Sequence, residues 1–498
     1  STRPTTLGDT SVYAKDIAQN LGRFPWGVGG TLWEFGHLLW RPVGLALVSL
    51  LSPVLSRLTD WTPFMQACFV LIALSVLSSV ITVVLWYRLL LDESGSEKTA
   101  IALTLAFACC HAVLLYSHSG CAYIPGFACL TAAISFLRGD KVGVAAMFYA
   151  IAALFWLPYI LAGPALFVLA ASPHWDLPVR DNLAAIRPGK AIVFTAIGLG
   201  VITVAYCLAG AARGITSSAE ALTWYHSASH NLSGNNRLAR LATGLPRTFF
   251  FMDKDGILLK RYLKHDPYAS IDLAYLLRVI LWKLALFYAF LLGLGVELWR
   301  RRSTLSWGIA VLLAVAAPVV FFAVFLFEPG APERYLPILA FLVPITGRVF
   351  CGFTQGPTKA QWIMAGVLLA FSFNNLYYFS APRVNSEDAA SWSRIAQLRD
   401  RLRGSSIAMV TTNQDRLEEY LTRSPFGAVN RPEIFRVYDI VEPGSTRMFQ
   451  WREEFADQVF TVWNKGGEVW ISKRLFSPTP DSEWNWVERS EEHTSELQ

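Results

Sequence analysis

Two stretches of this chain hold residue types that could move a group from a phosphate onto a hydroxyl. The first reads Gly8-Asp9-Thr10-Ser11-Val12-Tyr13 and continues to Trp33-Glu34-Phe35-Gly36-His37. The second reads Glu328-Pro329-Gly330-Ala331-Pro332-Glu333-Arg334-Tyr335-Leu336-Pro337. A carboxylate such as that of Asp9 can take the proton of an attacking hydroxyl, best where partial desolvation makes a carboxyl more basic. Arg334 suits a departing phosphate, because a guanidinium donates two parallel hydrogen bonds and stays charged. A base and a cation at one depth are the minimum geometry for such a transfer. A third stretch, the loop 213–271, supplies further cations. Within it Arg247, after Gly244-Leu245-Pro246, and the pair Lys260-Arg261 are the strongest phosphate candidates. A loop of that length with little patterned structure is often functional.

Each residue also has a plainer role. Gly-Asp-Thr-Ser is a helix-start sequence, so Asp9 could be an N-cap or a solvated loop residue. Arg334 beside Tyr335 could be an interfacial snorkelling cation. His37 more often has a structural role. The loop cations could dock on anionic lipid headgroups. His226 and His230 could share a helix face, yet no acidic or Cys partner sits nearby, so no metal site is expected. Asp16 and Glu34 are the alternatives for a second carboxylate. No cofactor is expected, although a divalent ion remains compatible with the residues. Asn231-Leu232-Ser233 fits a glycosylation sequon that matters only in a eukaryotic secretory context.

These residues are embedded in an apolar chain. Of its 498 residues 53% are hydrophobic and 16% charged, with a mean hydropathy of +0.38; a soluble domain carries about 25% charged residues. Apolar runs recur at about 64–87, 100–117, 123–137, 142–156, 157–172, 191–212, 272–298, 304–327, 335–351 and 361–380, each read as crossing a hydrocarbon core about 30 Å thick. The fold class is therefore a polytopic α-helical membrane protein with about ten spans. The fourth and fifth runs are short and interrupted by Trp156-Leu157-Pro158. The net charge of +6 reads as topology, not as a nucleic-acid footprint. Arg88 and Lys98, Arg138 and Lys141, Arg180, Arg187 and Lys190, Arg300 to Arg302, and Arg348 and Lys359 follow alternate spans. Lys and Arg are retained on the cytoplasmic side of short loops. Residues 1–63, 213–271, 328–334 and those after 381 then lie on the opposite face. Residues 42–58 are interrupted by Pro42 and Pro53 and are read as a helix in the interface. The 18 Trp and 17 Tyr suit two interfacial belts.

The domain reading follows. Residues 1–63 form a first outer loop with its juxtamembrane helix, 64–380 the transmembrane domain including 213–271, and 383–488 a small extracytoplasmic α/β domain. In that last region Trp392, Ile395, Leu398 and Leu402 keep helical spacing, Ile407 to Val410 is β-prone, and a helix is expected over Gln450 to Trp463. Lys465-Gly466-Gly467 ends it before a strand from Glu468 to Ile471. The seven cysteines lack metal-ligand spacing and none lies after Cys351, so they are expected to be packing residues. Residues 489–498 resemble a translated sequencing-adapter oligonucleotide and are set aside. The chain begins at Ser1 without Met, so a segment upstream is expected.

The order Asp9, Tyr13, His37, apolar interfacial helix, then span resembles the GT-C superfamily of integral-membrane glycosyltransferases, in its protein O-mannosyltransferase and aminoarabinose-transferase branch. That branch carries a D-E-x-x-Y-like motif and a His-Pro-Pro-like step in its first outer loop, and an R-Y-x-x-P element opening a late span, matched here by Arg334-Tyr335-Leu336-Pro337 with Glu333 before it. The resemblance covers about residues 1–380. Thr10 stands at the second carboxylate and Leu38-Leu39 at the double proline. It implies a membrane-embedded enzyme with a lipid-linked sugar donor, lipid neighbours, no nucleic acid and an acceptor the motifs do not specify. It implies Asp9 as base, with Tyr13, His37, Glu333, Arg334 and Tyr335 about the substrate, in a bacterial inner membrane with the site facing the periplasm. Upstream residues would supply the first transmembrane helix. The rival reading is a non-enzymatic membrane protein, such as a lipid or polymer transporter or an assembly factor.

Overall fold

The computed structural model describes residues 8–22, 30–59, 61–172, 181, 185–227, 237–252, 273–326, 330–381, 407–411, 433–436 and 451–471. The chain divides into two compact units. One comprises Ser1–Arg57, Pro63–Met252 and Leu281–Asn385; the other comprises Leu58–Thr62, Asp253–Ile280 and Ser386–Gln498.

The first unit is helical. Its helices are α1 (Gly8–Asn20), α2 (Trp40–Leu58), α3 (Pro63–Ser94), α4 (Glu97–Ala108), α5 (His111–Tyr116), α6 (Tyr123–Arg138), α7 (Val142–Phe155) and α8 (Gly163–Ala171). They continue with α9 (Pro188–Ala212), α10 (Ser218–Ser227), α11 (Arg237–Phe249), α12 (Trp282–Arg300), α13 (Arg302–Phe321), α14 (Leu336–Val349) and α15 (Lys359–Asn375). Among the described residues six segments are long and apolar enough to cross a membrane: Trp40–Leu58, Pro63–Ser94, Pro188–Ala212, Leu273–Arg300, Arg302–Leu326 and Lys359–Ser380. Three apolar helices are shorter: Tyr123–Arg138, Val142–Phe155 and Leu157–Ala171. The chain thus has the helical make-up of a multi-pass membrane protein.

Local chemistry sets the boundaries. Pro63 opens α3, where its missing N–H costs nothing. Gly95 closes it in the left-handed region, φ +65, with its N–H on Leu91 O at 3.0 Å. Ser96 then caps α4 through Thr99 N. The run expected as one span over 100–117 is two helices, broken at Cys109-Cys110. The carbonyl of Cys109, released by the break, is taken by Asn375 Nδ2 at 2.7 Å, and His111 Nδ1 lies 2.8 Å from Arg247 O of α11. Trp156 is the extended N-cap of the next turn, and Pro158 stands in that first turn, where its missing N–H costs nothing. A 3-10 turn over Leu157–Ala162 leads into α8.

The helix predicted over 42–58 is continuous from Trp40 and has the length and composition of a span. Its first half buries Trp40, Leu45 and Val48. There Gly44 lets α1 and α3 approach, since a Cβ would meet Ile17 Cδ1 at 2.6 Å and Leu71 Cδ2 at 2.9 Å. At the centre lies α14, buried at every position but Arg348. A helix apolar all round belongs inside a bundle, and its 14 residues, about 21 Å long at 1.5 Å each, need not reach either surface alone.

In the second unit β1 (Ile407–Thr411), β2 (Glu433–Arg436) and β3 (Glu468–Ile471) form a parallel sheet of order β2-β1-β3. Val410 lies opposite Phe435, and Met409 opposite Trp470. The helix α16 (Trp451–Asn464) buries Val459 and Val462. It ends where Gly466, φ +71, sends its N–H to Trp463 O at 2.8 Å and Gly467 binds Val462 O at 2.9 Å. The helix expected from Trp392 to Leu402 lies outside the described residues.

Candidate active site

One end of the helical unit gathers the aromatic and charged side chains that the apolar sequence otherwise scatters. The turn between α5 and α6 reads Ser117-His118-Ser119-Gly120-Cys121 and delivers Tyr116 on one side and Tyr123 on the other. Gly120 is left-handed, φ +72, and a Cβ there would meet Thr10 Cγ2 at 2.7 Å, so only glycine permits both the bend and the approach of α1. Thr10 Oγ1 donates to the Ser119 carbonyl, and Ser119 Oγ donates to Tyr116 O at 3.1 Å. The first turn of α1 is thereby pinned to the turn that carries Tyr116. Asp9 belongs to that first helical turn; its side chain lies outside the described residues.

Tyr116 Oη donates to Glu333 Oε2 at 2.6 Å, the distance of a charge-assisted O–H···O⁻ bond. Glu333 and Arg334 sit in the 3-10 turn Pro332–Tyr335 that opens α14. Arg334 Nη2 lies 3.7 Å from Glu333 Oε1, each side chain only 10% exposed. The Arg334 guanidinium also lies over the Trp156 ring, 5.4 Å from its centroid. At 3.7 Å the contact with Glu333 is electrostatic, longer than a direct hydrogen bond, and the ring face holds the cation by its quadrupole. Tyr335 is fully buried.

From Glu333 a line of rings leads back to α1 and α2. Tyr116 meets Tyr123 at 4.8 Å, Tyr123 meets Trp156 at 5.1 Å and His37 at 5.8 Å, and His37 meets Tyr13 at 5.7 Å. His37 Nδ1 lies 3.1 Å from Phe155 O. Tyr13 in turn lies under the Arg41 guanidinium at 5.2 Å, which bridges Asp16 at 3.1 Å and Glu34 at 2.9 Å. Both alternative second carboxylates are thus tied to one cation. Nearby, Arg213 Nη1 donates to Trp33 O at 2.9 Å; desolvation, with the charge of Arg41, lowers the Arg213 pKa.

Arg247 joins from α11: its Nη1 donates to Gly330 O at 3.2 Å, and Thr248 Oγ1 donates to Pro332 O at 3.0 Å. These bonds position the turn that bears Glu333 and Arg334. Tyr13, His37, Arg247, Glu333, Arg334 and Tyr335 are therefore parts of one constellation, whereas Lys260 and Arg261 lie outside the described residues. Sequence reasoning missed Arg41, Tyr116, Tyr123 and Trp156. A signal existed for Tyr116 and Trp156, since polar and aromatic residues cluster in Tyr116-Ser117-His118-Ser119 and Trp156-Leu157-Pro158 amid apolar runs. Among the described residues no three His, Cys, Asp or Glu side chains are grouped to hold a metal ion. All seven cysteines are free.

No family model matches this chain, and no curated protein does. Among solved structures it is similar to the crystal structure of ArnT from Cupriavidus metallidurans in the apo state, at 12% identity and a TM-score of 0.43. The match covers 88% of this chain and 82% of that one.

Proposed function

We propose that this chain is a GT-C-type glycosyltransferase that moves a sugar from a polyprenyl-phosphate carrier to an acceptor hydroxyl at the non-cytoplasmic face. The observation that carries this reading is the joining of Arg334, Glu333 and Tyr116 to the first turn of α1 through Ser119 and Thr10. A carboxylate at that turn and a cation at the start of α14 are the two halves of the reaction. The Asp9 carboxylate takes the proton of the acceptor hydroxyl. The acceptor oxygen forms a bond to the anomeric carbon as the bond from that carbon to the phosphate oxygen breaks. The electron pair leaves with the polyprenyl phosphate, and the displacement inverts the anomeric centre. Arg334, held over Trp156, offers its fork to the charge developing on that phosphate. Lys260 and Arg261 would add to the same charge.

The transporter reading predicts ionisable residues near the middle of spans. Among the described residues the candidate spans carry few charges and most stand toward their ends, as with Lys190 in α9, while Lys283 stands ten residues inside Leu273–Arg300. This favours chemistry at the surface. The test is sugar transfer from a lipid-linked donor pool in membranes, with Asp9→Asn and Arg334→Lys beside the wild type. Near-wild-type transfer by Asp9→Asn would remove the base from the mechanism. For sidedness, a cysteine at Ser217 should react in intact cells with an impermeant reagent and one at Ser303 should not. The reverse pattern would overturn the topology.

A further inference from the structure

At the opposite end of the helical unit lies an opening that the proposed chemistry does not use. A cleft of about 500 Å³ runs between α4 and α15, opening sideways from the bundle. Its floor is Leu103 and Leu368, both buried, and its rims are Leu105 and Leu369, 61% and 73% exposed. Ala102 and Ala106 on α4 face Ala365 on α15, so small side chains leave the space open. Lys98 and Phe353 line it toward the start of α4, and the lining runs past Cys109 and Ser372 to Leu376, 48% exposed, with Asn375 on the Cys109 carbonyl. Lys98 is the one charged residue in the lining.

We propose that this cleft holds one acyl chain of an anionic phospholipid, with the lipid phosphate on Lys98. Length decides between candidate tails. The 12 residues of α4 rise about 18 Å at 1.5 Å each, close to the roughly 15 Å that half of a 30 Å hydrocarbon core spans. A single leaflet's acyl chain matches that depth, whereas a polyprenyl chain is several times longer than the cleft. Charge decides the headgroup. A lone ammonium at the mouth of an apolar cleft needs an anion once its surroundings are lipid, and a phosphate without a compensating choline supplies it. Lys98 belongs to the connections whose positive charge marks the cytoplasmic side, so the lipid comes from that leaflet. The inference rests on the membrane assignment and not on sugar transfer, and the two fail separately.

The experiment is native mass spectrometry of the full chain, delipidated in detergent and offered an equimolar mixture of phosphatidylglycerol and phosphatidylcholine. The wild type should retain one phosphatidylglycerol per chain with roughly fivefold preference, as about 1 kcal/mol per Lys implies. Lys98→Gln, a change at an exposed position, should keep lipid binding and lose the preference. Ala106→Trp, which fills the cleft, should lose the bound lipid, and Ala102→Phe at the rim provides a second blocking variant if the first misfolds. Equal retention of both lipids by the wild type would overturn the headgroup assignment. Undiminished binding by a folded blocking variant would overturn the cleft as the site.

Discussion

The two ends of the helical unit both bury carboxylates beside arginines, and they do so differently. α6 spans the distance between them: Tyr123 starts it at one end and Arg138 closes it, about 24 Å away for 16 residues. At the Arg138 end, Glu93 is 2% exposed and meets Arg138 Nη2 at 2.5 Å. Beside it Glu297 takes Arg300 at 3.4 Å, Arg301 at 3.5 Å and the Thr358 hydroxyl at 2.6 Å. Arg301 in turn donates to Arg348 O and Cys351 O. Those carboxylates are closed off by cations and bind α3 to α6 and α12 to α15. At the Tyr123 end, Glu333 takes its short contact from a neutral phenol, and Arg334 stands 3.7 Å away over a ring face. Saturated ion pairs lock helices; a cation held by a ring and a looser carboxylate can exchange its partner for a phosphate. The difference separates structural charge from charge suited to chemistry.

The sharpest way to break that comparison is at the chemistry. Asp9→Asn should lower transfer roughly 10² to 10⁴-fold, as removal of a general base does, while the detergent-solubilised protein melts at the wild-type temperature. Arg334→Lys should weaken donor binding as well as turnover, because a point charge cannot reproduce a fork. At the other end the expectation reverses. Arg138→Ala removes the cation from the buried Glu93 carboxylate and should cost about 3–5 kcal/mol of stability, read by thermal unfolding in micelles. Transfer per folded chain should persist; a specific loss of turnover there would erase the distinction between the ends.

Two smaller effects sharpen it. Tyr116→Phe removes the donor to Glu333 and should cost about 1.5–3 kcal/mol, the range for hydrogen bonds to charged groups, with a fall in transfer that Thr358→Val, which removes the hydroxyl donor to Glu297, does not share. The smallest concerns Glu220, outside both clusters. Its carboxylate accepts from Thr216 N at 2.7 Å and Ser217 N at 3.2 Å, while Ser217 Oγ accepts from Glu220 N at 3.2 Å, a reciprocal cap on α10. Those amides lower the Glu220 pKa. A depressed carboxyl pKa contributes stability above its unfolded value and loses it as pH falls through the folded one. Hydrogen exchange at Thr216 and Ser217 should therefore accelerate, relative to the intrinsic rate, only once pH drops below the ordinary carboxylate range. Protection that persists well below that pH would show that the cap does not hold the turn.

The sequence by itself determined the helical membrane character, because long apolar runs with charges confined between them admit little else. It also marked local stops, such as the interruption at Trp156-Leu157-Pro158 and the glycine turn after α16, since proline and glycine act through their own backbones. It identified Arg334 and Asp9 as candidates from residue type and order. What it could not supply was their company. Trp156 under Arg334, Tyr116 on Glu333 and Arg41 between Asp16 and Glu34 are contacts across large sequence separations, fixed by how helices pack and not by any local pattern. The break at Cys109-Cys110 has the same origin: its carbonyl is satisfied by Asn375, far along the chain. Periodicity reports which face of a helix is apolar, but only the packed bundle decides which polar groups those faces bring together.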